Sequence, residues 1–273
     1  MTAVLRAGGE VSSSPAGPAE RPYLSVDGVG VTFRSKGADV TALSGVSLGV
    51  RQGEFLAIVG RSGCGKSTLL RTLSGLLPAT RGKVVLDGQV VSGPSAQVRF
   101  VFQDYSQSLF PWKTVAGNVA FGVKHAVERG ADVGETVEWA LSLVGLEGVG
   151  GRYPWQLSGG MQQRVAIARA LAARPQVLLM DEAFSSVDAL SRAKLQDMIL
   201  EVWGELKLTA VFVTHDIDEA VYLADRVVVV DEKGKGVTAE LPIDLPRPRH
   251  QVDTRETPTY LGHRRDLLGL VLG

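Results

Sequence analysis

The chain has 273 residues, 45% of them hydrophobic, which is enough for one large or two small domains with a full core. Lys plus Arg and Asp plus Glu each number 29, so the net charge is zero and the basic footprint of a dedicated nucleic-acid binder is missing. The single cysteine, Cys64, excludes an internal disulfide and suits a reducing cytoplasm. No apolar run approaches the roughly 18–20 residues that span a bilayer, so a role in a membrane process requires docking onto another chain that spans it.

In chain order, residues 1–20 lack the hydrophobic segment of a signal peptide, and their Gly, Ser, Pro and Ala content predicts a flexible tail over 1–21. Residues 23–50 read as β structure through Leu24, Val26, 29–33, Val46, Leu48 and Val50. The continuous apolar run in 54–59 fits a strand buried on both faces, as in a parallel sheet. A helix is expected over 66–74, with Leu69, Leu70 and Leu73 on one face and Gly75 as its C-cap. Residues 83–91 predict a hairpin turning at Asp87-Gly88. A short strand follows at 98–103, then a mostly helical stretch over about 105–172, clearest at 135–144 and 161–172. Strands return at 177–180, 210–213 and 227–230, with helices around 189–203 and 217–224. The tail after Asp231, with Pro242, Pro246 and Pro248, is expected to be irregular apart from a short helix near 264–271. The pattern predicts a three-layer α/β core with a helical insertion, one domain over 22–250 and an extension over 251–273.

Chemistry concentrates in five places. The first is Gly60-Arg61-Ser62-Gly63-Cys64-Gly65-Lys66-Ser67-Thr68, between a predicted strand and a predicted helix. Its glycines permit the backbone to approach phosphate oxygens, and the helix adds its positive N-terminal end. Lys66 would reach the β- and γ-phosphates and Ser67 would hold Mg²⁺. Cys64 reads as a small loop residue rather than a redox switch. The second is Val177-Leu178-Leu179-Met180-Asp181-Glu182, an apolar strand delivering two acids at its carboxyl end, where ligands bind in open α/β sheets. Asp181 is the expected Mg²⁺-side carboxylate and Glu182 the group that polarises the attacking water.

Gln103, the third, ends a strand and opens the insertion, so its amide can reach Mg²⁺ or water and report occupancy to the insertion. The fourth, His215, ends another core strand and would contact the γ-phosphate. Asp216 and Glu219 beside it form a capping-box-like pair with a structural role. The fifth is Leu157-Ser158-Gly159-Gly160-Met161-Gln162-Gln163-Arg164. Ser158 is a good N-cap, and Gly159 and Gly160 clear side chains from a helix end that attracts anions by about 0.3–1 kcal/mol when exposed.

Together and in this order, the motifs resemble those of ABC transporter ATPase subunits over residues 23–231. Three stretches narrow the likeness to the nitrate/sulfonate/taurine importer group: 103–122, with Leu109-Phe110-Pro111-Trp112; 153–164; and 241–249. The resemblance implies a P-loop NTPase (RecA-like) core with an N-terminal antiparallel β subdomain and a helical insertion. It implies a head-to-tail pair of ATPase subunits, identical or different, enclosing ATP between Lys66 and Ser67 of one copy and Ser158, Gly159, Gly160 and Gln162 of the other. Phe33 matches the aromatic that stacks on adenine, with a core role as the alternative. Asp188 matches the aspartate of a loop crossing between subunits. The 109–113 stretch would line a groove for a helix of a membrane subunit, although Phe110 and Trp112 fit a core equally well. Ala183 stands where the group usually has Pro, and Ser185-Ser186-Val187-Asp188 replaces the more usual Gly-Ala-Leu-Asp; neither change removes a catalytic group.

The implied function is ATP-driven import of a small anion such as nitrate, a sulfonate or taurine. The partners would be a transmembrane permease and, indirectly, a substrate-binding protein, with the chain peripheral on the cytoplasmic face of the membrane. A lone copy would leave each nucleotide half-enclosed, and a missing charge-stabilising donor commonly costs about 10²–10³ in rate. The alternative is a soluble ATPase acting on nucleic acid or ribosomes; the single cassette, the absence of a CxxC pair and the balanced charge count against it.

Overall fold

The fold is described from a computed structural model covering residues 21–34, 37–104, 108–127, 130, 132–231 and 236–272. Residues 1–20 of the expected N-terminal tail and the first residues of the insertion, 105–107, lie outside these. The chain forms two compact units, Met1–Pro94 with Thr209–Gly273, and Ser95–Leu208.

The first unit contains two sheets. One is antiparallel, in the order β2-β1-β4-β5, from β1 (Leu24–Phe33), β2 (Val40–Val50), β4 (Arg81–Leu86) and β5 (Gln89–Val90). Alternation places Leu24 and Val26 opposite Val50 and Leu48 on one side and Leu86 and Val84 on the other, all buried. Asp87 and Gly88 both take left-handed backbone (φ 47° and 75°), the geometry a two-residue hairpin needs. In the other sheet, β3 (Phe55–Val59) lies between β8 (Thr209–Val213) and β9 (Arg226–Val230), parallel to both. All five residues of β3 are buried, which is why its sequence is uniformly apolar rather than alternating.

Helix α1 (Lys66–Leu73) follows β3 and helix α6 (Ile217–Leu223) follows β8. The C-cap of α1 is Ser74, and Gly75 stands one place beyond at φ 74°, where only a glycine passes the Gly93 carbonyl, 2.2 Å from an added Cβ.

The C-terminal tail corrects the sequence reading. Residues Val237–Pro242 form β10, antiparallel to β9. Their alternation buries Ala239 and Leu241, a strand signal that the prolines obscured. Pro242 closes the strand, where its missing N–H is tolerated. The final helix, α7, runs over Pro258–Leu272 rather than beginning near Arg264; a proline suits a first helical position. Its Tyr260 and Leu267 are buried.

In the second unit, β6 (Val98–Val101) and β7 (Val177–Asp181) pair in parallel. Helices α2 (Val115–Val127), α3 (Val133–Leu143), α4 (Gly159–Leu171) and α5 (Ala189–Leu206) complete it. Val115, Val119 and Val123 form a fully buried stripe on α2. Gly122 lets α2 approach α4 so closely that a Cβ would sit 2.0 Å from the Arg169 carbonyl oxygen. Among the described residues no helix is long and apolar enough to cross a membrane.

Candidate functional site

In the first unit the loop after β3 is shaped by its glycines. Gly63 and Gly65 have φ 81° and 92°. A Cβ on Gly65 would meet the Ala42 carbonyl oxygen at 2.5 Å, and one on Gly60 would meet that of Val230 at 2.8 Å. Cys64 is buried against this turn, in keeping with a packing role. Lys66 is 6% exposed, and its ammonium donates to the carbonyl oxygens of Gly60 (2.7 Å) and Arg61 (3.0 Å). The charge is thus held within the loop curve. Arg61, Ser62 and Gly63 are exposed at its rim, and Ser67 and Thr68 enter the first turn of α1. That turn has no acidic residue and no side-chain N-cap, so its N–H groups and positive end suit an anion.

His215 stands exposed just beyond β8 in the same unit. The neighbouring Thr214 amide donates to Ile58 O of β3 (3.2 Å), so the phosphate loop and His215 leave adjacent strands at the same carboxyl edge. Thr214 Oγ1 donates to Glu219 (2.7 Å), and Asp216 accepts from the amides of Asp218 and Glu219. Asp216 therefore caps α6, as the sequence suggested. Phe33 ends β1 and is 45% exposed, so it is not a core residue.

In the second unit β7 delivers Asp181, 4% exposed, and then Glu182 at φ 44°. A left-handed non-glycine residue costs roughly 1–2 kcal/mol and persists only where the surroundings enforce it. Two residues tie it down. Gln103 Nε2 donates to Glu182 Oε2 (3.0 Å), and Ser185 donates to the Glu182 carbonyl through both Oγ (2.9 Å) and its amide (3.1 Å). The structure thus joins Gln103 to Glu182, and it adds Ser185, which the sequence marked only as a departure.

Ser158 caps α4, accepting from the Met161 amide at 3.4 Å. Gln162 Nε2 reaches back to Leu157 O (3.3 Å). Gly160 faces Ser191: a Cβ added to the glycine would lie 3.2 Å from the Ser191 Cβ, which places the start of α4 beside the start of α5. Asp188 caps α5 through the Ser191 amide (3.0 Å). The hydrogen bonds from Ser191 hold its carboxyl below the ordinary aspartate range.

The 109–113 stretch has a further support that sequence reasoning missed. Asn118, fully buried on α2, accepts from the Phe110 amide (2.8 Å) and donates to the carbonyls of Phe110, Lys113 and Thr114 (3.1, 3.2 and 3.0 Å). The available signal was a polar residue on the stripe of Val115, Val119 and Val123. The stretch borders a cavity of about 420 Å³ lined by Arg99, Phe102, Phe110, Phe121 and Arg169, among others. Burial pulls the Arg169 guanidinium below its ordinary pKa. Trp112 is 71% exposed, which removes the core alternative for that residue.

A glycine-turned loop between a buried parallel strand and an uncapped helix, carrying a buried lysine, defines a P-loop nucleotide-binding protein. The family model described as ABC transporter matches residues 43–185, and the chain belongs to that family as an ATP-binding subunit. It is 43% identical over 98% of its length to 96% of the nitrate import ATP-binding protein NrtD of Synechococcus elongatus. It is 46% identical to an uncharacterized ABC transporter ATP-binding protein of Methanocaldococcus jannaschii, MJ0412, over 91% of both chains. NrtC of Synechococcus elongatus is 42% identical over 91% of this chain, which spans 38% of NrtC. Among solved structures, the dimeric ATP-binding cassette MJ0796 bound to ADP and Pi is 31% identical, with a TM-score of 0.71 over 81% of this chain and 98% of that one. The fold is therefore the α/β P-loop NTPase fold with an antiparallel sheet subdomain. The chain binds ATP and is an ATPase of a transport system, which sets aside the nucleic-acid alternative.

Proposed function

We propose that this ATPase works as a head-to-tail pair on the cytoplasmic face of a membrane, driving a permease that imports a small anion such as nitrate, a sulfonate or taurine. The match to NrtD along nearly the whole of both chains supports the substrate class. In each pair of half-sites, the phosphate loop of one copy, residues 60–68, receives the triphosphate. Ser158, Gly159, Gly160 and Gln162 of the other close over it with the positive end of α4. Asp188 lies on the segment between the copies, and Phe33 stacks on the adenine.

Mg²⁺ is a hard cation that takes oxygen ligands, one or two carboxylates among them, together with substrate phosphates. The Ser67 hydroxyl, the Asp181 carboxylate and the Gln103 amide oxygen are donors of that kind, and the ion they hold would neutralise charge on the phosphates. Glu182 polarises the attacking water and His215 contacts the γ-phosphate. The 109–113 stretch receives the permease, so that Gln103, at the head of the same segment, links nucleotide state to the membrane subunit.

The observation that carries this reading is Glu182 itself: an acid at the end of a fully buried strand, held at φ 44° and bonded to Gln103. Glu182→Gln should retain ATP, lose turnover and accumulate as a dimer in gel filtration with ATP, whereas Lys66→Ala should lose ATP affinity. Normal turnover by Glu182→Gln would refute the assignment.

A further inference from the structure

His215 sits between two anchors. On one side β8 is fixed to β3 by the Thr214 amide on Ile58 O (3.2 Å). On the other is α6, capped by Asp216 and only seven residues long. A helix of under two turns is not stable by itself, and its terminal carbonyls need partners. Those partners come from the C-terminal arm, residues 245–272, which lies outside the stretch matched to the family, 43–185.

The arm holds α6 at both ends. At the C-terminal end Arg249, 6% exposed, donates to the carbonyls of Tyr222 (2.7 Å), Ala224 (2.9 Å) and Val221 (3.4 Å). Tyr222 answers by donating its hydroxyl to Arg249 O (3.1 Å), and the Arg255 guanidinium lies over the Tyr222 ring at 4.8 Å. Burial, then the neighbouring Arg247, pulls the Arg249 guanidinium down to about 10, so it stays charged at neutral pH and complements the negative helix end. At the N-terminal end Tyr260, 2% exposed, donates its hydroxyl to the Asp218 carbonyl (3.1 Å) and to Asp218 Oδ1 (3.0 Å). Arg264 Nε donates to the same oxygen at 2.9 Å. Asp218 is in the first turn of α6, and its amide bonds the Asp216 cap (2.8 Å).

We infer that the C-terminal arm is a positioning device for His215: through Tyr260 and Arg264 on Asp218 it fixes the first turn of α6, and so the place at which the histidine meets the nucleotide. This rests on the reading of His215 as a γ-phosphate contact. Tyr260 and Arg264 touch no substrate and act through α6.

The test uses the full chain. Tyr260→Phe keeps the ring and its packing and removes only the hydroxyl; Arg264→Gln alters a side chain that is 44% exposed and leaves the core intact. Each should lower kcat for ATP about fivefold, the effect of one ordinary hydrogen bond, with KM for ATP unchanged. The His215 imidazole resonance, assigned by its disappearance in His215→Ala, should shift or broaden in both. Arg264→Lys, which retains a donor and the charge, should recover most of the rate. Unchanged kcat and an unmoved His215 resonance in both variants, even with a lowered Tm, would reduce the arm to a strut and overturn the inference while leaving His215 in place. Full turnover by His215→Ala would overturn the histidine reading, and the inference with it.

Discussion

Replacing Asn118 tests how the 109–113 stretch, exposed at 111–113, is held. The side chain is fully buried, and its amide accepts one hydrogen bond and offers its two protons to three carbonyls. Alanine removes three hydrogen-bond equivalents. The Thr114 carbonyl keeps its helical bond from the Asn118 amide (2.8 Å), but the Phe110 N–H loses its partner. At about 1 kcal/mol each the expected loss is about 3 kcal/mol, and at roughly 2–4 °C per kcal/mol the melting temperature should fall by about 6–12 °C. Asn118→Asp keeps the acceptor for Phe110 but turns a carboxylate toward three carbonyl oxygens, so it should be at least as harmful. Thermal and urea unfolding give the stability change. ATPase assays with and without the cognate permease should show permease-stimulated turnover falling more than the basal rate. If both variants melted within about 1 °C of the parent, the stretch would not depend on Asn118 and the reasoning would fail.

Two more outcomes follow from hydrogen-bonded polar groups, one buried and one half-buried. Glu54, 4% exposed, receives Arg226 Nε at 2.8 Å. Burial pushes its carboxyl up, but the Arg226 hydrogen bond and charge and the Arg51 amide outweigh this and hold it below 4.5. A lowered carboxyl adds stability that is present above its unfolded value and lost as pH falls through the folded one. Acid titration of unfolding should therefore reveal a loss beginning near pH 4.5 that Glu54→Gln lacks. At pH 7 that variant, with Arg226 left only partly paired, should be less stable by about 3 kcal/mol. Ser185→Ala removes the hydroxyl that bonds the Glu182 carbonyl (2.9 Å); kcat should fall about fivefold with ATP affinity unchanged by equilibrium titration, and an unaltered kcat would free Glu182 from that restraint.

Much of this molecule could be read from its sequence because its frame is hydrophobic and periodic. The uniform run of β3 announced a parallel strand, Asp87-Gly88 a tight hairpin, and the valines and leucines of β6 to β9 further strands. The glycines of the phosphate loop were equally legible, since positive φ at Gly63 and Gly65 leaves few other residues possible. What escaped was local and polar. β10 was hidden because three prolines outweighed a short alternation, although Pro242 falls at its edge. The start of α7 was hidden because its first turns, Pro-Thr-Tyr-Leu-Gly-His, carry little helix propensity and are stabilised by Tyr260 packing on α6. Asn118 and Ser185 were missed for a related reason: each acts by hydrogen bonds to backbone three to eight residues away, and nothing in residue type distinguishes such a side chain from one facing water.

These polar devices have a common physical logic. A segment proposed to meet nucleotide or a partner has to stay at the surface, where Trp112 and His215 are exposed, so apolar burial cannot hold it. Regular ladders cannot hold it either, because such a segment turns too sharply for strand or helix pairing. The remaining way to fix its backbone is a side chain from the adjoining core that supplies the missing partners. Asn118 does this for residues 110–114, Ser185 for Glu182 and Arg249 for the end of α6. Each such bond contributes only about 1 kcal/mol, enough to favour one arrangement by roughly fivefold yet small against a ligand's differential affinity for another. If the proposed function holds, weak tethers of this size would let the same loops be well placed at rest and still yield when ATP or a permease binds.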